Sequence, residues 1–105
     1  MEWIAITDKL PHEKWIEEYP QWSDEKEHIN VLFNCLVSFA DVNFGKVNDT
    51  EIVPLMYCKS MGWTRFNYDP LTEDDLNHIT HWMFYPDQVS DKDAQEVYNK
   101  KHGVN

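Results

Sequence analysis

The feature that most constrains the fold is a run at residues 29–40 in which apolar side chains recur on both parities of the chain. One parity holds Val31, Phe33, Cys35, Val37 and Phe39, and the other holds Leu32, Asn34, Leu36, Ser38 and Ala40. Successive side chains of a strand point to opposite faces of the sheet. The run therefore predicts a central strand that is covered on both faces.

A second strand is predicted at residues 79–85, an apolar and aromatic run that follows an acidic turn and is ended by Pro86. Between the two strands, residues 41–50 contain Gly45 and three asparagines, which is typical of a turn-rich connection. Residues 52–68 are too long for one strand. Pro54 confines their start to a sheet edge, and Gly62 indicates a bulge or tight turn, which gives a pair at 55–59 and 63–68.

Two helices are predicted outside this sheet. Pro11 and Pro20 bracket a helix at residues 12–19, and Ser90 and Gly103 are suited to cap a helix at 91–102. Single helical turns are expected after Ser23 and after Thr72, which forms a capping box with Asp75. Residues 3–7 form either a short edge strand or an extended strap.

These elements predict an α+β fold, a small antiparallel sheet of three to five strands with two or three peripheral helices. We expect one domain over residues 1–105, with a core sheet at about 29–89, an acidic aromatic insertion at 12–28 and the C-terminal helix. The C-terminal helix has few apolar residues, so it either docks loosely or packs on a neighbouring subunit. Self-association is therefore left open.

The net charge is −10, and the acids are unevenly distributed. Residues 12–28 hold six acids against two bases, residues 69–77 hold four acids and no base, and residues 29–68 are balanced. A strongly negative field repels phosphate backbones and anionic membranes. We therefore expect no direct binding of nucleic acid or membrane, and a partner protein with a basic surface.

No apolar run approaches the roughly 20 residues that a membrane-spanning helix needs, and the N-terminus lacks a secretory pattern. We therefore expect a cytoplasmic protein, in which Cys35 and Cys58 are reduced thiols within strands. Five Trp, five Tyr and five Phe argue against disorder despite the charge.

Cys35, Cys58, His78 and His81 are the residue types that hold zinc. The spacing argues against a metal site, because positions three apart in one strand point to opposite faces and neither cysteine belongs to a Cys-x-x-Cys pair. A nucleophile pair of Cys35 or Cys58 with His81 lacks a marked turn beside either thiol. The sequence therefore predicts no catalytic residue, no metal and no cofactor.

The aromatic residues fall into two groups. Trp3, Trp63, Phe66 and Trp82 are predicted to build the core. Trp15, Tyr19 and Trp22 lie in the charged insertion, where they form either an exposed protein-binding surface or a lid folded back over the sheet. With the acids Glu17, Glu18, Asp74 and Asp75, they are the predicted partner-binding residues.

Three motifs resemble one protein family. Trp3-Ile4, Leu10-Pro11 and Thr80-His81-Trp82-Met83 are similar to anchor positions of the domain-of-unknown-function family 551, small proteins common in phages and prophages. In that family the last motif continues Pro-Leu-Pro, whereas Phe84-Tyr85-Pro86 stands here. The resemblance implies a phage-type accessory protein in a bacterial host cell and no known activity.

Three classes of function follow from these observations. The first is a non-enzymatic protein that binds and inhibits a host protein, such as a host-defence or nucleic-acid-processing factor, through its acidic, aromatic surface. The second is a protein that sequesters a small ligand or nucleotide, for which Lys59, Arg65 and His81 are the candidate residues. The third, an enzyme with a Cys/His site, requires an arrangement that the sequence does not mark.

Overall fold

A computed structural model describes residues 2–86 and 89–103 of the chain. It contains five strands, four α-helices and one short 3₁₀ helix. In chain order these are β1 (Ile4–Ala5), α1 (Pro11–Glu18), the 3₁₀ helix (Pro20–Trp22), α2 (Glu25–His28), β2 (Phe33–Asn43), β3 (Lys46–Cys58), β4 (Gly62–Thr64), α3 (Glu73–Asn77), β5 (Ile79–Phe84) and α4 (Asp91–His102).

The five strands form one antiparallel sheet in the order β1-β5-β2-β3-β4. The predicted α+β class and antiparallel sheet are confirmed, although there are four α-helices rather than two or three. Strand β2 is central and pairs with β3 along its whole length and with β5 from Cys35 to Phe39. The predicted strand at 79–85 is β5.

One face of β2 carries the core, and we call it the core face of the sheet. Phe33, Cys35 and Val37 are buried there against Leu55 of β3 and Trp82 of β5. On the opposite face, which we call the open face, Leu32 and Asn34 are exposed. Farther along the same face, Ala40 is buried, as are Met56 and Met83 in the neighbouring strands. The prediction that β2 is covered on both faces therefore fails at its start and holds farther along. Helix α1 lies over the core face, where Trp15 packs on Phe33 and His12 contacts Tyr57.

Residues 41–50 are not the turn-rich connection that the sequence suggested. Strands β2 and β3 continue through them as a hairpin whose turn is only Phe44 and Gly45, both with positive φ, at 52° and 75°. Two consecutive positive φ values match the twist of a two-residue hairpin turn. The alternation was not visible because every residue from 41 to 52 is exposed. We call residues 41–52 the hairpin arm.

The helix ends follow the predicted caps with one exception. The Oγ1 of Thr72 accepts a hydrogen bond from the backbone N–H of Asp75, and Ser90 does the same for Asp93 at the start of α4. Gly103 ends α4 in the left-handed conformation that favours glycine. Ser23 does not cap α2, however. Asp24 occupies the N-cap position of this helix, and its side chain makes no capping hydrogen bond.

Two of the four predicted core aromatics are buried, Trp63 and Trp82. Trp3 and Phe66 are 39% and 47% exposed, so their assignment to the core is wrong. Trp3 precedes a strand of only two residues at the sheet edge, and Phe66 follows β4 in a loop. Neither position lies over the centre of the core face.

Helix α4 is exposed along almost its whole length, including Val97 and Tyr98. Within the described part of the chain, no helix is both long and apolar enough to cross a membrane.

Candidate functional site

Trp15, Tyr19 and Trp22 form one cluster, which we call the aromatic patch. The ring centroids of Trp15 lie 5.9 Å from Tyr19 and 5.4 Å from Trp22. Trp15 is half-buried and packs edge-on against Phe33 of the core at 5.5 Å. Tyr19 and Trp22 remain 46% and 39% exposed. The patch is therefore anchored in the core through Trp15 and presents its other two rings to solvent.

Local sequence dictates this arrangement. Trp15 and Tyr19 are four positions apart, so they lie on the same side of α1. Pro20 ends α1 and starts the 3₁₀ helix, which turns Trp22 back toward Trp15. The Nδ1 of His28 lies 2.8 Å from the carbonyl oxygen of Trp22 and holds the turn in place.

The acids of α1 flank the patch but are not free charges. Glu17 is paired with Lys9, and the hydrogen bond from that lysine lowers the pKa of Glu17 below its usual value. Glu18 lies 3.8 Å from Lys14 one turn earlier in the helix. Surface pairs of this kind contribute little to stability. They reduce the negative charge at the rim of the patch.

The predicted acids of the second segment lie on α3. Asp75 lies 3.8 Å from Arg65, whereas Asp74 is directed outward, its side chain 86% exposed. The Nδ1 of His78 lies 2.7 Å from the carbonyl oxygen of Asp74 and closes the last turn of the helix. Asp74 is therefore the more exposed of the two acids.

A feature that the sequence analysis missed lies between α3 and the hairpin arm. A cleft of about 440 Å³ is lined by Asp41 of β2, Asp49 and Glu51 of β3, and Asp74 and His78. We call it the acidic cleft. Its net charge was hidden because the three arm acids are balanced in sequence by Lys46, Lys59 and Arg65. In the fold, Lys59 and Arg65 instead pair with Glu25 and Asp75.

The three arm acids share the core face. Phe39 and Asp41 have the same parity in β2 as the buried Phe33. Across the hairpin, Phe39 faces Glu51 and Asp41 faces Asp49. In the described part of the chain, none of Asp41, Asp49 and Glu51 has a basic side chain within ion-pair distance. The unneutralised negative charge of the sheet is therefore concentrated at this end.

The aromatic patch and the acidic cleft lie on the same side of the sheet. Trp15 packs on Phe33, and the cleft includes Asp41. Phe33 and Asp41 have the same parity in β2 and are eight residues apart, a separation of about 26 Å along the strand. One surface thus presents exposed aromatic rings at one end and unpaired carboxylates at the other.

The candidate ligand-binding residues do not come together. Lys59 lies 3.4 Å from Glu25, and Arg65 lines a cleft on the core face with Asp75. His81 lies on the open face, where it lines a small cavity of about 140 Å³ with Trp3 and Ser38. No shared basic pocket joins these three residues within the described part of the chain.

The Cys/His alternatives are also separated in space. Ser38 of β2 lies between Ile52 of β3 and His81 of β5. Cys58 lies six residues beyond Ile52, which places it about 20 Å along β3 from the level of His81. Cys35 is on the core face, opposite to His81, and burial raises the pKa of its thiol to about 12. Such a thiol is not a nucleophile at neutral pH. Among the described residues, no group of three or more His, Cys, Asp or Glu is arranged to hold a metal.

Two histidines that the sequence analysis did not single out are buried beneath the insertion. The rings of His12 and His28 stack at 5.6 Å, and the hydroxyl of Tyr57 lies 3.0 Å from Nδ1 of His12. Burial lowers the pKa of His12, an effect that Lys59 and His28 reinforce and Glu13 opposes. Burial also raises the pKa of Tyr57 to about 12, so its hydroxyl stays protonated and shares a hydrogen bond with Nδ1 of His12. These residues join the insertion to the sheet.

Comparison with known proteins adds no relative. No family model matches the chain, and neither a curated protein nor a solved structure matches it significantly. The resemblance to family 551 therefore remains a prediction.

Proposed function

We propose that this protein is a non-enzymatic binding protein that captures a partner protein with a basic surface. The observation that carries the proposal is the shared position of the aromatic patch and the acidic cleft on one side of the sheet. Exposed Trp and Tyr side chains are enriched among residues that dominate binding energy in protein interfaces. Unpaired carboxylates beside them select for positive charge on the partner.

The two parts of the surface contribute differently to binding. The carboxylates of Asp41, Asp49, Glu51 and Asp74 attract a basic partner and raise the association rate, an effect that salt screens. Tyr19 and Trp22 bury apolar area in the complex and slow its dissociation. Trp15 contacts both rings and joins them to Phe33 of the core.

The resemblance to a phage-associated family suggests the class of partner. We propose a protein of the bacterial host cell, a host-defence or nucleic-acid-processing factor, which is inhibited when its basic surface is occupied. Proteins that act on nucleic acids carry basic surfaces, which suits the negative charge of this chain.

The alternative of a small-ligand or nucleotide binder has less support. It requires positive groups that converge on a phosphate, and Lys59 and Arg65 each pair with an acid on a different element. His81 lies on the opposite face of the sheet. No observation favours this class over the protein-binding proposal.

Affinity capture from a bacterial lysate tests the proposal. The full chain is immobilised, and capture is compared at low salt and at about 1 M salt, where the screening length is about 3 Å. We expect a basic protein to be retained at low salt and much less at high salt. Recovery of only acidic or neutral proteins, or no dependence on salt, would contradict the proposal.

A further inference from the structure

The hairpin arm has two chemically different faces. Asp41, Asp49 and Glu51 lie on the core face, as described above. On the open face, Ile52 is 59% exposed, and Val42 faces Val47 across the hairpin with both partly exposed. Isolated two-stranded ribbons are marginally stable in water. An arm with one acidic and one uncovered apolar face is therefore suited to receive a further strand.

The outer edge of β3 has room for that strand. Strand β4 pairs only with Met56, Tyr57 and Cys58, the last three residues of β3. In the described part of the chain, no strand pairs with the outer side of β3 from residue 46 to residue 54. Uncovered edges are templates for strand addition, and proteins usually protect them with lysine, proline or bulges. Lys46 and Pro54 lie at the two ends of this edge, and a register shift lies between Val47 and Asp49, whereas the stretch from Asp49 to Ile52 carries none of these features.

The direction of the edge groups can be worked out from Pro54. Proline has no N–H, so the facing pair Leu36–Pro54 is a non-hydrogen-bonded pair of the β2–β3 ladder. By alternation, the pairs that include Ile52 and Thr50 are also non-hydrogen-bonded. Their N–H and C=O groups therefore point away from β2.

Two contacts agree with this assignment. The N–H of Ala40, which faces Thr50, donates to the carbonyl oxygen of His78 on the β5 side of β2, at 2.8 Å. The N–H of Thr50 donates to Oδ1 of Asp49, also at 2.8 Å. A side-chain oxygen thus occupies the place where the carbonyl of an added strand would accept.

We propose that the outer edge of β3, around Thr50 and Ile52, binds an extended segment of the basic partner by strand addition. This inference rests on the proposed function and specifies the partner's chemistry. Side chains directly opposite each other on neighbouring strands lie about 5 Å apart. Alternate residues of the segment therefore lie beside Asp49 and Glu51 and are Lys or Arg. The residues between them lie beside Ile52 on the apolar face and are aliphatic.

The probe is a synthetic peptide of about eight residues in which Lys and Val alternate, long enough to cover the roughly 20 Å between residues 46 and 52. The control peptide has the same composition, with the lysines and valines in separate blocks. Binding of each fluorescently labelled peptide to the full chain is measured by anisotropy. We expect the alternating peptide to bind at least about tenfold more tightly, because only its side-chain pattern suits a strand.

A matched pair of variants tests the backbone contact. Ile52→Pro removes an outward N–H without affecting the ladder to β2, as Pro54 already does two residues later. Ile52→Thr shortens the same side chain but keeps the N–H. We expect the first variant to weaken binding of the alternating peptide at least about tenfold and the second to stay within about threefold of wild type. N-methylation of alternate peptide amides gives the same test on the unchanged protein.

Three results would overturn the inference. Equal affinity for the alternating and block peptides would show that they bind through charge attraction alone, without strand addition. Full binding by Ile52→Pro, or by the N-methylated peptide, would exclude the edge. A dimer in sedimentation that Ile52→Pro dissociates would place a second copy there. These results can be distinguished from failure of the proposed function. That failure would be seen as capture of the host partner that does not require Tyr19 and Trp22.

Discussion

Asp41 and Asp49 face each other directly across the β2–β3 hairpin, with no basic side chain within ion-pair distance in the described part of the chain. Like charges in directly opposed positions of neighbouring strands repel each other. The pair therefore lowers the stability of the arm. The proposed binding role of the acidic cleft would account for two carboxylates at positions where a neutral residue would be more stable.

Asp49→Asn should stabilise the protein, because it removes the repulsion while the amide oxygen still accepts the Thr50 N–H. We expect a gain of about 0.5 kcal/mol in the free energy of unfolding, measured by urea denaturation at low salt. Asp41→Asn should give a similar gain, and the double variant little more than either. Additive gains would mean that the two charges do not interact.

Trp82→Phe should destabilise the protein more than its loss of volume alone implies. The indole N–H of this fully buried residue donates to the carbonyl oxygen of Lys9 at 2.7 Å. This bond joins the segment between β1 and α1 to β5. We expect a loss of about 2–4 kcal/mol, with faster hydrogen exchange in β1. Trp3→Phe is the control. The Trp3 ring is partly exposed, so this substitution should lower the free energy of unfolding by no more than about 0.5 kcal/mol. Equal costs for the two variants would refute the role of the indole bond.

His12 should make stability fall with pH below about 6.5. Its pKa is lowered in the folded protein, so below the usual value of 6.5 the unfolded chain takes up a proton that the folded chain resists. The stabilisation is complete above pH 6.5 and is lost as the pH falls toward the lowered pKa.

The control is His12→Gln, whose side-chain amide can still share a hydrogen bond with Tyr57 but does not titrate. Urea denaturation at pH 7.5 and pH 5 compares the two proteins. We expect wild type to lose stability relative to the variant at the lower pH. A constant difference between the two would show that His12 does not titrate differently on folding.

Both cysteines should resist thiol reagents in the folded protein. Cys35 is fully buried with a pKa raised to about 12, and Cys58 is 2% exposed, with its Sγ 3.1 Å from the carbonyl oxygen of Ile29. Labelling with a thiol-specific reagent at pH 8 should be slow without denaturant and rapid in urea. Fast labelling of Cys35 in the native protein would contradict its placement in the core.

The elements that the sequence predicted are those that the local sequence marks by composition or by end signals. A long apolar run around Phe33, Cys35 and Val37 predicted β2, and Ser90 and Gly103 marked both ends of α4. Burial of Trp82 was predicted correctly, because this residue lies in an apolar and aromatic run that Pro86 ends.

The hairpin arm and the acidic cleft could not be predicted in the same way. Exposed strands have no hydrophobic period, so the arm resembled a loop with Gly45 as its clearest signal. The cleft depends on register, which places Asp49 opposite Asp41, and on pairing of Lys59 and Arg65 with distant acids. Counting charge along the chain does not reveal either relationship.

The predicted partner-binding residues also change in importance. Glu17, Glu18 and Asp75 lie close to Lys or Arg side chains. Asp74 is exposed, lies 3.9 Å from Nδ1 of His78, and joins three arm acids that were not singled out. Trp15 is half-buried against Phe33, so its removal would disturb the core. The rings available to a partner are Tyr19 and Trp22.

The most direct test of the proposed surface is therefore whether a double variant, Tyr19→Ala plus Trp22→Ala, still captures the host partner. Trp3→Ala is the matched control, since Trp3 and Trp22 are both 39% exposed but Trp3 lines a cavity with Ser38 and His81 on the open face. Lys100→Ala on α4 serves as a second control. All three variants are first checked for an unchanged unfolding transition.

The measurement is the amount of basic partner retained from one lysate by each protein at low salt. We predict that the Tyr19/Trp22 variant loses at least about nine-tenths of the captured partner, as removal of two central aromatic anchors should. Trp3→Ala and Lys100→Ala should retain it. Full capture by the folded Tyr19/Trp22 variant, or equal loss with Trp3→Ala, would contradict the proposed binding surface.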